Sequence, residues 1–285
     1  MLRHLLKFTA FGRLVMIPAR FVLIALPRVG RQFLLAVKWA FTSKEYYNHS
    51  YHLTPLNKQY LASFIALVSG HEVTQIERFI AELDTNTELR GVLIRRNNES
   101  RDRHNTDNEP RYGRRLGWYA LLRATKPRIV VETGIDRGLG TVVMAAALKR
   151  NADEGFPGVL YATDIVPDCG HLLVEPYKGF CRELIGDSVE SLQKLNESVD
   201  IFLHDSNHEA NYEWAEFLAI EPQLHRNSIV LSDNSRETSK LREFAARTNR
   251  SFLYFQDEPK DHWWPGDGIG CAFVPGTRYY YPDIR

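Results

Sequence analysis

The sequence predicts an α/β fold in which a mostly parallel, doubly wound sheet carries helices on both faces and is preceded by a helical extension. Three observations lead there. From residue 111 onward, short apolar runs alternate with amphipathic helical stretches. Each apolar run closes on a glycine-rich or polar turn. Residues 56–95 instead repeat their apolar side chains at helical spacing.

Taken in order, RRLGWYALLRATK reads as a helix and RIVVETG as the first strand of the sheet. A helix starts near Gly140 with TVVMAAALKRN, and GVLYATDI supplies the second strand. FCRELIGDS is the third, followed by the helix VESLQKL. VDIFLHD is the fourth strand, NYEWAEFLAIEPQL the next helix and SIVLSDN the fifth strand. The aromatic loop DHWWPGDG leads into GIGCAFVPG, a last strand inserted beside the parallel ones. In a sheet wound this way ligands collect at the carboxyl ends of the strands.

At 285 residues, 44% hydrophobic and 25% charged, the chain is long enough for one large α/β domain with an appendage. Its net charge of +1 conceals an asymmetry, because the first 40 residues hold Arg3, Lys7, Arg13, Arg20, Arg28, Arg31 and Lys38 and no acid. Arginines and prolines interrupt the apolar stretch 8–41 too often for a membrane span. No small-residue cleavage site marks it as a signal peptide. Arg13, Arg20, Arg31 and Lys38 fall nearly on one side of an α-helix, and Pro18 and Pro27 are expected to break it into short pieces. Such a segment reads as an anchor on anionic lipid, or as a dimerisation or domain-packing arm. Cys169, Cys181 and Cys271 are too few and scattered for a disulfide framework, which points to a reducing, cytoplasmic setting, peripheral on the membrane if the arm binds lipid.

Residues 56–95 read as a helical cap, and NNESRDRHNTDNEP, 97–110, as an exposed linker or mobile loop that bounds the core. The core has no basic stripe and no Asn-Pro-Pro-aromatic sequence, so nucleic acid is not expected as a partner.

VVETGIDRGLGT sets Glu132, Gly134, Gly138 and Thr141 between a strand and a helix, where glycines admit a close ligand and helix N–H groups face an anion. A tight βα turn would need the same small residues. Glu132 would repel a pyrophosphate but suits a cofactor with a cationic amino-acid end, and the G-x-G-x-x-G spacing of nicotinamide folds is missing. Asp164 ends the second strand, where an acid accepts from ribose hydroxyls or caps a helix. Asp187 and Ser188 stand where an adenine amino group is read, or cap the helix that follows. Together these residues resemble the class I S-adenosylmethionine-dependent methyltransferases over residues 112–274. The resemblance implies a Rossmann-like sheet of seven strands and S-adenosylmethionine as cofactor.

FLHDSNHEANYEW places Asp205 at the end of the fourth strand, and SDN places Asp233 and Asn234 at the end of the fifth. Adjacent parallel strands bring two carboxylates and an amide oxygen together, a donor set for Mg²⁺ or another divalent cation. Both acids could instead cap strand-to-helix turns. The pattern resembles the cation-dependent O-methyltransferases of the catechol and caffeoyl-CoA type, which carry a lysine three residues beyond the first Asp. His208 occupies that place here, as in the Asp-x-x-His of metal-dependent sugar O-methyltransferases. The resemblance implies Asp205, Asp233 and Asn234 as metal ligands, with Asp205 and His208 catalytic and His208 the general base; the histidine could also be only a ligand or a helix-start residue.

His204 is expected to pack locally, Trp263 and Trp264 to form a lid or fill a gap, and the arginines of RYGRRLGW to lie on a solvated helix face or touch an anion. The chain thus divides into a basic amphipathic arm (1–45), a helical cap and polar linker (46–110) and a methyltransferase domain (111–285). The expected activity is O-methylation of a hydroxyl on a small molecule or glycan, such as a sugar, natural product or lipid-linked saccharide, by a chain that could be a homo-oligomer. The alternatives are a non-catalytic membrane-associated scaffold and a nicotinamide-dependent oxidoreductase.

Overall fold

IVVET is too short for a helix and is β-branched at four of its five positions; it forms β1 (Ile129–Thr133), the middle of the sheet. The computed structural model describes residues 9–46 and 50–277, so Arg3, Lys7 and Phe8 of the basic arm lie outside the described residues. Around β1 lie β2 (Val159–Asp164), β3 (Cys181–Ile185), β4 (Val199–His204), β5 (Leu224–Ser232), β6 (Ser251–Phe255) and β7 (Ile269–Phe273). Among the described residues the sheet has seven strands in the order β3-β2-β1-β4-β5-β7-β6. All pairs are parallel except those of β7, which runs antiparallel between β5 and β6. This is the doubly wound, mostly parallel sheet that the alternation of strands and helices predicts, with the seven Rossmann-like strands that the resemblance implies.

The helices, numbered along the chain, begin with α1 (Ala10–Arg20), α2 (Leu26–Thr42), α3 (Pro55–Ser69), α4 (Val73–Asp84), α5 (Thr87–Glu99) and α6 (Arg115–Thr125). Between the strands lie α7 (Leu139–Asp153), α8 (Ser188–Lys194), α9 (Ala210–Ile220) and α10 (Lys240–Arg247). Local chemistry sets their ends. Thr54 caps α3 through the Asn57 N–H, Pro55 fits its first turn, and Gly70 closes it at φ 73°. Asn86 caps α5 and Asp187 caps α8.

Leu61, Ile65, Ile76, Leu83 and Leu93 of the helical segment share one hydrophobic core with Leu121, Val142 and the sheet residues Val130 and Leu203. The opposite face packs Val131, Phe202 and Val230 against Phe217 of α9 and Phe244 of α10. Arg123 is almost fully buried and bridges Glu82 of α4 to Glu154 beyond α7, at 2.8 and 2.6 Å. Removing one partner of such a pair would leave a buried charge, so the cluster ties the N-terminal helices firmly to the domain.

Four expectations change. Pro18 and Pro27 do not break the arm: α1 runs into α2 through a π-helical turn, Phe21–Ala25, that sits between the two prolines. The wider turn ends with the Leu26 N–H bonded to the Phe21 carbonyl, and it shifts the helical phase between the two halves. The periodic stretch after Gly70 is two helices rather than one, because Asn86 caps a new start. The segment 97–110 is exposed only at residues 98, 99 and 101–105; Asn97, Thr106 and Pro110 are buried, and Arg111 and the Lys44 N–H both bind Asp107 at 2.8 Å. Finally, the sequence reading misses α10 and β6, both short, at eight and five residues.

The strand ends meet closely. Thr133 pairs with His204 and His204 with Ser232, and a Cβ on Gly134 (φ 89°) would lie 2.1 Å from the Asp205 carbonyl oxygen. Gly134→Ala combines that overlap with a left-handed backbone, and should lower stability by about 3 kcal/mol in a chemical denaturation curve.

Candidate functional site

Two cavities lie over the carboxyl ends of β1, β2, β4 and β5, of about 470 and 680 Å³. Gly134, Asp136, Arg137, Asp205 and Ser206 line both, so they form one cleft. Its first half holds Glu132, Arg114, His208, Asp233, Arg236 and Trp264. Its second half holds Asp164, Asp187, Ser188 and Tyr212.

Glu132 is 1% exposed, and its Oε2 has no hydrogen-bond partner among the described residues. Burial pushes its carboxyl up to about 8, against the opposing pull of Thr141 and Arg115. A buried acid without a partner at the wall of a cleft fits a cationic ligand group. Gly138, at φ 90°, shapes the turn before α7 and Thr141 is fully buried behind Glu132; neither lines the cleft. The Asp164 carboxylate accepts from the backbone N–H groups of Ile135 (3.0 Å), Asp136 (2.9 Å) and Val166 (2.8 Å), which folds the loop after β1 around it.

Asp187 caps α8 through Glu190 and accepts from the Tyr212 hydroxyl at 2.9 Å; the Glu190 N–H holds its carboxyl below the usual range. Ser188 turns inward and donates to Glu216.

Asp205 and Asp233 follow neighbouring strands, and their backbone N–H groups extend the ladder to Thr133 and His204, each at 3.0 Å. One ligand atom from each of Asp205, His208 and Asp233 lies within 4.8 Å of the others. Burial and the facing Asp233 push the Asp205 carboxyl far above the ordinary range. Burial acts on Asp233 too, but Arg114 outweighs it and holds that carboxyl down. The pair thus shares one proton, as two carboxylates confined together must.

Arg114 is not on a solvated face. It is 6% exposed, donates to Asp233 at 2.5 Å and to Asp267 at 2.9 Å, and lies over the ring of Trp118. It is the N-cap residue of α6, a helix buried on every side from Leu116 to Thr125, so the helix start is itself enclosed.

Asn234 takes a different position from a simple third ligand. Its Nδ2 faces two acceptors, the His208 carbonyl at 2.9 Å and Glu213 at 3.3 Å, so its Oδ1 faces His208 Nδ1 at 3.1 Å. An amide oxygen there requires the proton on Nδ1 and leaves the lone pair on Nε2.

Two glutamates unmarked by the sequence reading support these loops. Glu216 accepts from Thr133 at 2.7 Å, Ser206 at 2.6 Å and Ser188, and pairs with His204 at 2.6 Å, so His204 is a buried structural partner as expected. Burial raises the Glu216 carboxyl, but His204 and the hydroxyls outweigh it and keep it charged. Glu213 accepts from Ser232 at 2.7 Å, Asn234 and Thr238. Their signal was present: Glu213 and Glu216 share a face with Phe217 and Ile220, the apolar stripe of α9.

Trp264 lines the cleft with its indole N–H donating to Asp267 at 3.1 Å, and Trp263 packs edge-on against Trp39.

Residues 131–235 match the family model described as a methyltransferase domain. No curated protein sequence matches the chain. Among solved structures it resembles the O-methyltransferase TomG of Streptomyces achromogenes, involved in tomaymycin synthesis, at 16% identity over 55% of this chain and 78% of that one, TM-score 0.44. A methyltransferase from Geobacter sulfurreducens aligns at 18% identity over 69% and 97%, TM-score 0.48. An O-methyltransferase from Bacillus cereus, in complex with SAH, aligns at 14% identity over 75% and 97%, TM-score 0.43. The match to the methyltransferase domain spans β1 to β5, the strands whose ends build the cleft.

Proposed function

We propose that the chain is an S-adenosylmethionine-dependent O-methyltransferase whose acceptor hydroxyl binds at a divalent-cation centre that Asp205 and Asp233 would hold, with His208 beside it as the general base. The observation that carries this reading is the convergence of Asp205, His208 and Asp233 beside Glu132, whose buried Oε2 has no hydrogen-bond partner among the described residues. Glu132 would hold the ammonium of the cofactor's amino-acid end. Asp164, Asp187 and Tyr212 line the half of the cleft where ribose and adenine would lie. With the cofactor bound, the chemistry supplied is an electrophilic methyl group.

Two carboxylate donors, with the remaining positions left to water and substrate, suit Mg²⁺ or Mn²⁺. The chemistry such an ion supplies is a lowered pKa for an acceptor hydroxyl. His208 Nε2 then accepts the hydroxyl proton, with Nδ1–H anchored on Asn234. Trp264 and Arg236 wall the remaining space, whose mixed polar and aromatic lining favours a sugar or hydroxylated natural product as acceptor.

Arg114 motivates a second reading. It already neutralises Asp233, so Asp205 and His208 could manage the proton without an ion, and transfer would depend mainly on positioning.

Chelation separates the two. Under the metal reading, EDTA should lower S-adenosylhomocysteine release across a panel of sugars and phenols by about 100-fold or more, and Mn²⁺ should give an electron-paramagnetic-resonance binding signal that Asp205→Asn removes. Unchanged turnover with no bound Mn²⁺ establishes the Arg114 reading, and cofactor binding with no transfer to any acceptor establishes a scaffold.

His208→Gln should reduce turnover by about 10²- to 10⁴-fold while leaving cofactor affinity unchanged; a rate equal to wild type at every pH excludes the base role. Because the free Glu132 carboxyl titrates near 8 and must lose its proton to pair with an ammonium, cofactor affinity should rise with pH and level off above that value. Calorimetry at pH 7 in buffers of different ionisation enthalpy should detect release of about one proton per cofactor. Glu132→Gln should abolish both the release and the pH dependence.

A further inference from the structure

The continuous helix from Ala10 to Thr42 leaves an apolar surface uncovered by its own chain. Leu14, Ile17, Phe21, Leu23, Phe33 and Phe41 are each more than half exposed, and no residue of the π turn or of α2 is buried. At about 1.5 Å per residue the helix is roughly 50 Å long. Exposed patches of this size mark contact with a partner or a membrane.

The charges identify the occupant. Arg13, Arg20, Arg28, Arg31 and Lys38 are all exposed and the helix holds no acid. A second copy of the helix would set this positive surface against itself. A bilayer interior is excluded by spacing: the longest run without a charge, residues 21–27, is only seven residues. An anionic headgroup layer satisfies both features, since long basic side chains reach the phosphates while the apolar ones enter the acyl boundary. We infer that this helix lies in the interface of an anionic lipid surface.

The far end of the helix carries the consequence to the cleft. Trp39 packs against His262 and Trp263, in the loop that continues to Trp264 on the cleft wall. Ser43 and the Lys44 N–H, just past the helix, donate at 3.1 and 2.8 Å to Asp107, another wall residue. Docking the helix therefore sets the mouth of the cleft beside the headgroups, whatever reaction is carried out there.

The test is co-sedimentation of the full chain with phosphatidylcholine vesicles, with and without phosphatidylglycerol. Binding to the anionic vesicles should be at least tenfold tighter and should weaken with salt. Arg13→Gln/Arg20→Gln/Arg28→Gln should cost about 100-fold, roughly fivefold per charge removed. Phe21→Ser/Leu23→Ser should weaken binding to both vesicle types, and alkaline carbonate should release the bound protein. Both variants alter only exposed side chains, and an unchanged thermal transition verifies their folding. Equal affinity for neutral and anionic vesicles, no binding to either, resistance to carbonate, or a salt-resistant dimer in solution that Phe21→Ser/Leu23→Ser dissolves would each overturn the inference.

Discussion

The cleft depends on two carboxylates that touch no ligand. Glu213 and Glu216 stand fully buried on one face of α9, and their oxygens collect hydroxyl, amide and imidazole groups from the ends of β1, β3, β4 and β5. A buried charge left without donors is costly, so the loops that supply them have little freedom. That constraint places Ser206 and Asn234, and through them the turns bearing Asp205, His208 and Asp233. The arrangement follows the general logic of a reactive group held by neighbours that are themselves held.

Within that frame the charges at the strand ends are arranged in opposition. Asp205 and Asp233 are too close for both to ionise without a cation, and Arg114 decides which one does. Glu132, a few residues earlier along the cleft, has no such partner and stays largely protonated near neutrality. Of these three carboxylates, Asp233 is satisfied and the other two await positive charge. Recognition of a cationic cofactor end and of a metal draw on the same physics, which is relief of buried negative charge.

The N-terminal helix behaves oppositely to the rest of the molecule. Elsewhere most large apolar side chains are inside the two hydrophobic clusters flanking the sheet. Along the helix they face outward beside exposed arginines, and among the described residues it meets the domain in its second half, through Arg31 and Trp39, and at Ser43 just beyond it. Such a surface is stable when something other than protein covers it.

The sequence by itself determined the alternation of strands and helices from β1 to β5, the position of the cleft at the carboxyl strand ends, and the approach of Asp205 to Asp233. These follow from period, strand length and the alternation of elements, which are local properties. The boundary between α4 and α5, where Asn86 caps a new start, was equally local, though a continuous apolar period concealed it. Tertiary structure decided what each side chain faces. Arg114 in RYGRRLGW is indistinguishable in sequence from a solvated arginine, and becomes the partner of Asp233 only because residues 119 positions apart are packed together. Asn234 turns to His208 because Glu213 claims its amide, and Glu213 is buried only because α9 lies on the sheet. Periodicity specifies which face of an element is apolar; the partners of a charge buried in that face come from elements far away in the chain.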